Sequence, residues 1–466
     1  MPDLLDPLGA DGVADSVVGD TAWLQALVDA EVALSRALVA AGLAPGWMLG
    51  VADSLADASA LDLAALAAAG RSGGNPVIPL VKTLSARAEA LRPGASDHVH
   101  VGATSQDIVD TAAMLIAAHT LDAVRVNLLA LAGSLAHLAD THRSTPQAGR
   151  TLGQHASPTT FGFVVAGWLD AVCTVVASLT DARHALPASL AGAVGTLGVL
   201  TEAAEQRLPG HPSSASVERV VSEFAAGLGL VTPAIGWHTN RLPIVEVGSA
   251  LAVATGVVAN IAMNVAELSR TEIGELSEGL AEGEGGSSAM PHKRNPVSSV
   301  LIVSAGRQAP GLLSTLYGSL LAEDQRAIGG WHAEWQTLRE LERLALSGTQ
   351  AASGLVARLR VDSDRMRANL ELTHGLLYSE RVSAVLAGLL GKAAAFELVR
   401  TASARVSAQS PLAVVLDDEL AAVGHGDEVR APVRQAFEPG AAVGQTAVGI
   451  DRVLARYRGF SRSSST

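Results

Sequence analysis

The chain has 466 residues, of which 48% are hydrophobic but only 3% aromatic, and its formal net charge is −13. A chain of this length exceeds the size at which one hydrophobic core stops growing, so two or three domains are expected. The acidic balance argues against nucleic acid and against an anionic membrane as partners, because either would require a basic face. The core must be built mainly from Ala, Leu and Val, and since Ala and Leu favour helices, we predict an all-α protein.

The N-terminal part is predicted to be a small helical domain over residues 1–105. Asp20 can cap a helix over residues 21–41, in which leucines recur at helical spacing, and Glu31 falls on that apolar stripe. Two further helices, over residues 53–69 and 80–91, end at Gly- and Pro-rich segments. The acidic, proline-containing N-terminus fits no secretory or transit signal, so a cytoplasmic protein is expected.

A central domain over residues 106–357 is predicted to consist of unusually long helices. Few prolines or glycines interrupt four segments, residues 105–142, 160–185, 243–280 and 296–346. Pro310 is expected to kink the last of them. Helices of this length indicate an extended bundle, and alternating β-branched runs are too scarce for a substantial sheet. Shorter helices then mark a C-terminal domain, residues 358–466, with a disordered tail.

Residues 247–266 carry no charge over a length that could span a bilayer. Asn, Ser, Thr and Gly interrupt this apolar run, and Glu246 and Glu267 flank it without any basic anchor. A helix of this composition is expected in the middle of a large bundle or an oligomer. We therefore prefer the bundle interpretation and expect no membrane partner.

The most distinctive local sequence is GSSAMPHKRNP, residues 286–296. Its glycines allow backbone amides to approach a ligand, and the three cationic residues His292, Lys293 and Arg294 could hold carboxylates. A helix that starts at Pro296, with the preceding asparagine as its cap, would add positive potential. For a generic loop of this composition, a solvated linker would be the preferred interpretation.

This string matches the GSSxMPxKxNP signature of the fumarase/aspartase superfamily at every defined position, and the chain resembles that superfamily. The resemblance implies that Ser287 abstracts or delivers the proton on the carbon next to a substrate carboxylate. It also implies that Lys293 and Asn295 hold that carboxylate and stabilise the aci-carboxylate intermediate. A serine hydroxyl is a poor base at neutral pH, so this chemistry requires amides and cations that stabilise the alkoxide.

A second segment, HVHVGATSQD at residues 98–107, by itself predicts a polar turn and a helix capped by Thr or Ser. Capping alone is the common explanation of such a pattern. The segment resembles the superfamily's first common segment, in which a His-x-Gly-x-Thr-Ser stretch binds substrate carboxylates. The resemblance implies that role for His100, Thr104 and Ser105, with Gln106 beside them.

A third segment, GRTLGQHASPTTFG at residues 149–162, by itself predicts a loop that leads into a helix, with one satisfied histidine. It resembles the superfamily's second common segment, which implies that Arg150 and Gln154 bind the substrate. Adenylosuccinate lyases usually have Arg-Thr-His here, with that histidine as the general acid, whereas this chain has Leu152. His155 is predicted to serve as a secondary acid/base or as a binding group.

The leucine at position 152 constrains the reaction, because it cannot transfer a proton to an amine leaving group. A carboxylate leaving group needs no such acid, since its conjugate acid has a pKa of about 4 and it departs as a stable anion. The reaction that fits is lactonisation, in which a substrate carboxylate adds to a double bond.

Three stretches, QHASPTTFGFVVAGWLDAV, HVHVGATSQDIVDTA and GGWHAEWQTL, look like the bacterial 3-carboxy-cis,cis-muconate cycloisomerase branch, where the same histidine is replaced. This resemblance implies that Arg326 contacts the substrate; on its own, a surface salt bridge would be preferred for that arginine. That branch carries Trp where Leu152 stands and usually Trp at Val101, so the pocket wall here is expected to be less aromatic. The implied activity is cofactor-free and metal-free closure of 3-carboxy-cis,cis-muconate to a carboxymuconolactone, in the β-ketoadipate pathway of aromatic catabolism.

Two alternatives remain open beside this activity. The first is a carbon-nitrogen lyase of the adenylosuccinate lyase type, which releases fumarate. The second is a non-catalytic structural protein, since this superfamily fold also serves as a lens crystallin. The resemblance further implies a small polycarboxylate substrate and a homotetramer that assembles through the central bundle, with each active site built from segments of different subunits.

Overall fold

The fold is almost entirely helical in this computed structural model, which describes residues 4–10, 12–280, 284–286, 289–290 and 292–463, with side chains to residue 460. Helix accounts for 68% of the structure, which confirms the predicted all-α class. The helices are α1 Val13–Val18, α2 Asp20–Ala40, α3 Met48–Leu55, α4 Leu63–Gly73, α5 Val77–Leu91, α6 Ser105–Thr141, α7 Phe161–His184, α8 Gly198–Arg207, α9 Ser213–Gly227, α10 Leu242–Leu268, α11 Val297–Gly318, α12 Gly330–Ala357, α13 Ser363–Leu370, α14 Ser379–Leu390, α15 Lys392–Ser403, α16 Leu412–Ala422, α17 Asp427–Ala436, α18 Pro439–Ala442 and α19 Thr446–Ser463.

The sheet content of the described residues is small, as predicted. Strands β1 Pro146–Thr151 and β2 Gln154–Thr160 form one antiparallel pair, and β3 Leu276–Ser277 and β4 Arg360–Val361 form another. The β1–β2 hairpin occupies most of the segment for which a simple loop was predicted, and that prediction is wrong. The strands can pair because Leu152 and Gly153 both adopt left-handed backbone conformations and turn the chain in two residues.

The chain divides into two compact units, each built from three stretches. Unit 1 comprises Met1–Asn127, Val175–Val258 and Ser304–Ala351, and unit 2 comprises Leu128–Thr174, Ala259–Val303 and Ala352–Thr466. The boundaries fall inside the five longest helices, α6, α7, α10, α11 and α12. The division into three domains predicted from the sequence stays a prediction.

Each unit has its own hydrophobic core. In unit 1, α2 and α5 bury leucines such as Leu34, Leu38 and Leu84. In unit 2, the helices from α13 to α17 pack around fully buried leucines, including Leu386 and Leu416. These cores consist mainly of aliphatic side chains, as the low aromatic content required.

The long helices agree with the sequence pattern except at the end of α10 and at a break between α11 and α12. Helices α6 and α7 match the predicted segments closely. Helix α10 ends at Leu268 rather than near residue 280, because Gly274 is left-handed and the backbone N–H of Glu275 returns to the carbonyl of Leu268. Two helices, α11 and α12, replace the single helix predicted over residues 296–346, because Asp324 and Gly329 adopt left-handed conformations between them. Pro310 lies inside α11.

The N-terminal helices also differ from prediction. The helix predicted over residues 53–69 is broken into α3 and α4, because the Asp57 and Asp62 side chains accept backbone N–H groups and begin new helical turns. Asp20 is the first residue of α2 rather than its cap, and its carboxylate pairs with Arg339 at 2.7 Å.

Three helices, α6, α7 and α10, are long and apolar enough to cross a membrane by length and composition alone. The uncharged run of residues 247–266 lies in α10. Within the chain, 56% of the most apolar window is buried in α6 and α7, and 50% in α10. The assignment of α10 to a bundle core stays a prediction.

Candidate active site

The first common segment forms an ordered polar cluster in unit 1, centred on Arg326. The Arg326 guanidinium donates from Nε to Gln106 Oε1 at 2.9 Å and from Nη2 to Thr104 Oγ1 at 3.1 Å. A third bond runs from Nη2 to the carbonyl of Ala193 at 3.2 Å. The structure therefore brings Arg326 to Thr104 and Gln106, two other predicted binding residues that lie more than 200 positions before it in sequence.

The amide of Gln106 is fully buried, and its orientation is fixed from behind. Its Nε2 donates to the carbonyl of His238 at 2.9 Å and to Asp110 at 3.2 Å. The carbonyl oxygen must then face Arg326. Ser105, the first residue of α6, is half-buried and makes no side-chain hydrogen bond to a described residue.

Asp107 organises this cluster and was missed by the sequence analysis. It is fully buried and accepts the backbone N–H groups of Thr104, Ala191 and Gly192 at 2.9 to 3.0 Å. His238 Nε2 lies 2.7 Å from the same carboxylate. One carboxylate thus joins the start of α6 to a loop more than 80 residues away. Asp107 directly follows the predicted binding residues in sequence, and this position could have identified it as part of the same cluster.

His100 lies just before α6 and contacts a second buried carboxylate. Its Nδ1 is 2.6 Å from Glu31 Oε1, and Glu31 is only 2% exposed. Burial lowers the pKa of His100, but the hydrogen bond and charge of Glu31, together with the charge of Asp107, outweigh it and raise that pKa above its ordinary value. The ring is thereby favoured as a cation, which suits the predicted contact with a carboxylate.

The second common segment forms the β1–β2 hairpin of unit 2, with Leu152 at its tip. The Leu152 side chain is fully exposed, at 103% of its reference area, and its φ is 52°. Left-handed conformations are unusual for leucine. The general acid found here in adenylosuccinate lyases is therefore replaced by an apolar side chain that projects from a tight turn.

Arg150 lies on β1 and forms an ion pair with the buried carboxylate of Glu275. Its two terminal nitrogens donate to the two oxygens of fully buried Glu275, at 3.1 and 2.5 Å. Gln147 and Asn369 donate to the same carboxylate, each at 2.7 Å. This network anchors the hairpin within unit 2, and a substrate contact for Arg150 stays a prediction.

His155 lies opposite Arg150 in the strand register. Burial, and then the positive charge of Arg150, lower the pKa of His155. Its Nδ1 is buried and has no hydrogen-bond partner among the described residues. The lowered pKa favours the neutral imidazole, which can accept a proton or a hydrogen bond. Gln154 is exposed on the same strand.

The signature loop of unit 2 is described only in part, and Ser287 lies outside the described residues. Lys293 is exposed, and Asn295 is half-buried, with its backbone N–H bonded to the carbonyl of Gly285 at 2.9 Å. Asn295 also lines a polar cavity of about 490 Å³, together with the cationic residues Arg294 and Arg360. Cations therefore gather beside the loop of an acidic protein, as an anionic substrate requires.

The helix that follows this loop begins differently from the prediction. Helix α11 begins at Val297, and its first N–H groups are capped by Glu278, which accepts from Ser298 at 3.1 Å and from Ser299 at 2.7 Å. The expected cap by Asn295 is wrong. The buried carboxylate also offsets the positive potential that was expected from this helix N-terminus.

A separate cavity in unit 1 has the wrong chemistry for a polycarboxylate. It has a volume of about 200 Å³ and is lined mainly by apolar side chains, including Leu27, Leu66 and Trp335. Its one basic lining residue, Arg339, already pairs with Asp20. The polar cluster around Arg326 and the loop cavity at Asn295 are the better candidates for substrate contacts.

The chain is similar to known lyases and cycloisomerases. A family model described as Lyase matches residues 14–311. A nitrosuccinate lyase of Streptomyces davaonensis is 46% identical over 86% of this chain and 83% of its own length. A 3-carboxy-cis,cis-muconate cycloisomerase of Pseudomonas aeruginosa is 40% identical over 95% of this chain and 94% of its own. The crystal structure of 3-carboxy-cis,cis-muconate lactonizing enzyme from Pseudomonas putida superimposes with a TM-score of 0.88 at 34% identity, covering 98% of this chain and 99% of that one. The chain therefore belongs to the fumarase/aspartase superfamily of lyases and is an enzyme of that superfamily, as its loop signature predicted.

Proposed function

We propose that this enzyme adds or expels a weakly basic anion next to a substrate carboxylate, and that its reaction closes 3-carboxy-cis,cis-muconate to a carboxymuconolactone. The observation that carries the proposal is the β1–β2 hairpin. Its turn holds Leu152, and burial and the charge of Arg150 lower the pKa of His155, which favours the neutral ring. Leu152 cannot protonate an amine as it leaves and His155 is disfavoured as a donor, whereas a carboxylate needs no protonation.

In the proposed reaction, a carboxylate oxygen of the substrate attacks a carbon of the neighbouring double bond. The C–O bond forms, and the electron pair of the double bond moves into an adjacent carboxylate, giving an aci-carboxylate. Lys293 and Asn295 stabilise its added charge, and Ser287 delivers a proton to the carbon next to the aci-carboxylate. One carboxylate becomes an ester and one C–H bond forms, so each turnover takes up one proton from solution at neutral pH.

A second candidate is elimination of nitrite from nitrosuccinate to give fumarate. The relative of that name, at 46% identity, favours it. The hairpin is equally compatible with nitrite elimination, because nitrite is also a stable anion and leaves without protonation. In this reaction the carbon next to a carboxylate loses a proton and the C–N bond breaks. Each turnover therefore releases one proton, which is the opposite of lactonisation.

The direction of proton exchange distinguishes the candidates. In weakly buffered solution with a pH indicator, we expect 3-carboxy-cis,cis-muconate to lose its ultraviolet absorbance while one proton is consumed for each molecule converted. Nitrosuccinate would give colorimetrically detectable nitrite and release protons. An unchanged muconate spectrum would overturn the first proposal. Rapid fumarate release from adenylosuccinate would overturn the argument from the leaving group.

We also propose that the enzyme is a cytoplasmic homotetramer that assembles through its long helices. Helix α10 supports this, because its apolar run has no charged residue and leaves Val253 55% exposed in a single chain. Such surfaces are typical of subunit interfaces. A molar mass by light scattering near that of one 47.5 kDa chain would contradict the tetramer.

A further inference from the structure

Glu31 lies in the middle of α2 with a burial that is unusual for a carboxylate. Its exposure is 2%, and its neighbours Ala30, Val32 and Leu34 are buried as well. Buried carboxylates are rare unless they are paired, because burial removes their hydration. The only described side chain that pairs with Glu31 is His100, and the second carboxylate oxygen is buried without any described hydrogen-bond partner.

His100 is presented to Glu31 by a strained backbone. Its φ is 58°, in the left-handed region that a residue other than glycine enters at an energetic cost. The ring is 19% exposed, and its Nδ1 is 2.6 Å from Glu31 Oε1. With Nδ1 committed to the carboxylate, Nε2 is the ring nitrogen left for a ligand, and it has no hydrogen-bond partner among the described residues.

Two carboxylates on different helices act on the charge of this ring. Glu31 on α2 and Asp107 on α6 both favour the protonated ring, while burial opposes it. Arg326 donates hydrogen bonds to Thr104 and Gln106 and so places a positive charge in the first-segment cluster, which comprises these three residues and Asp107. Asp107, however, is already engaged by three backbone N–H groups and His238, so Glu31 is the carboxylate in direct contact with the His100 ring.

We propose that Glu31 is a positioning residue for catalysis, which fixes the His100 ring and keeps it an imidazolium whose Nε2–H donates to a substrate carboxylate. The inference deepens the proposed function by assigning the group that makes His100 a cation. Glu31 itself does not touch the substrate. A purely structural role, in which the pair only ties α2 to the loop before α6, is the alternative that the experiment must exclude.

The test compares the wild type with Glu31→Gln, which keeps the shape and the acceptor oxygen but removes the charge. Carbon-13 labelling of the histidine rings reports the His100 titration, which is assigned by its loss in His100→Asn. We expect the pKa of His100 to fall below its ordinary value in Glu31→Gln and to recover in Glu31→Asp. An unchanged pKa would overturn the proposal, and this readout needs no substrate, so it stands apart from the identity of the reaction.

Kinetics on the converted substrate give the second readout. At a pH between the lowered pKa of the variant and the raised pKa of the wild type, both taken from the ring titration, we expect kcat/KM of Glu31→Gln to fall about 10- to 100-fold, mainly through KM, because a charge-assisted hydrogen bond to the substrate is lost. Below the lowered pKa the variant's ring is protonated again, so its kcat/KM should approach the wild-type value. Glu31→Gln combined with His100→Asn should be no worse than His100→Asn alone.

A loss of the same size at every pH, or additive effects in the double variant, would assign Glu31 a structural role only. If Glu31→Gln did not fold by circular dichroism, Glu31→Asp and His100→Asn would carry the test through their pH profiles. If the wild type converted neither muconate nor nitrosuccinate, the proposed function would fail, while the ring titration would still decide whether Glu31 sets the charge of His100.

Discussion

The first-segment cluster of unit 1 and the signature loop of unit 2 hold their polar groups in opposite ways. Around Arg326, the guanidinium is fixed by Thr104, Gln106 and the carbonyl of Ala193, and the carboxylates of Glu31 and Asp107 are buried. In the loop, Lys293 is exposed, and its side chain has no ion-pair partner among the described residues. The comparison indicates that the first cluster is pre-organised, whereas the Lys293 cation of the loop stays exposed.

The largest expected effect is on the loop, at the residue assigned to proton transfer. Replacement of Ser287 by alanine should lower kcat by roughly 10²- to 10⁴-fold, the usual contribution of a positioned proton-transfer group. The free energy of unfolding should stay the same, because the loop's role is chemical. Ser288→Ala is the matched control, and an equal loss of kcat in that variant would contradict the assignment of Ser287.

In the first cluster, a substitution should change stability as well as rate. Asp107→Ala leaves three backbone N–H groups and His238 without their buried acceptor, so we expect a loss of about 3–5 kcal/mol in the free energy of unfolding. Urea unfolding followed by tryptophan fluorescence measures this. Asp97→Ala removes an exposed carboxylate directly before the same segment and should change the stability little. Similar stabilities of the two variants would break the contrast between cluster and loop.

The hairpin should show a pH dependence of stability that the first cluster does not share. Because the pKa of His155 is lowered in the folded state, the unfolded chain binds a proton more readily below its ordinary pKa of about 6.5. His155 therefore destabilises the fold as the pH falls from about 6.5 toward the lowered value. Replacement by glutamine should flatten the stability profile in this window.

The pKa of His100 is shifted in the opposite direction, so the pH dependence of its contribution to stability serves as the comparison for the His155 measurement. Its raised folded-state pKa means that its contribution to stability is fully present below about pH 6.5 and is lost as the pH rises through the raised value. His100→Asn should therefore alter the profile on the alkaline side. If both histidine variants changed the same side of the profile, the two environments would not differ as the structure indicates.

The smallest expected effect is at the tip of the hairpin. Leu152→Gly relieves a left-handed conformation and should stabilise the fold by at most about 1 kcal/mol. Leu152→Ala keeps the strain and is the control. A clear loss of stability in the glycine variant would mean that the leucine side chain packs against another subunit, which would support the proposed oligomer.

The sequence predicted different parts of the molecule with different success. Helices α6 and α7 were predicted closely, because long uninterrupted apolar periodicity is a local property. The break between α11 and α12 was missed, because left-handed residues such as Asp324 leave little trace in composition. The hairpin was missed because its turn uses Leu152, a residue that rarely adopts positive φ.

The sequence by itself determined the superfamily, the helical class and the candidate binding residues, since motifs and helical periodicity are read from neighbouring positions. Tertiary structure alone decided which carboxylates hold those residues. Glu31 lies 69 positions from His100, and Glu275 lies 125 positions from Arg150. No local pattern encodes such pairings, because they depend on which buried faces the folded chain brings together. The side chains that pair with a motif residue can therefore lie far from that motif in sequence.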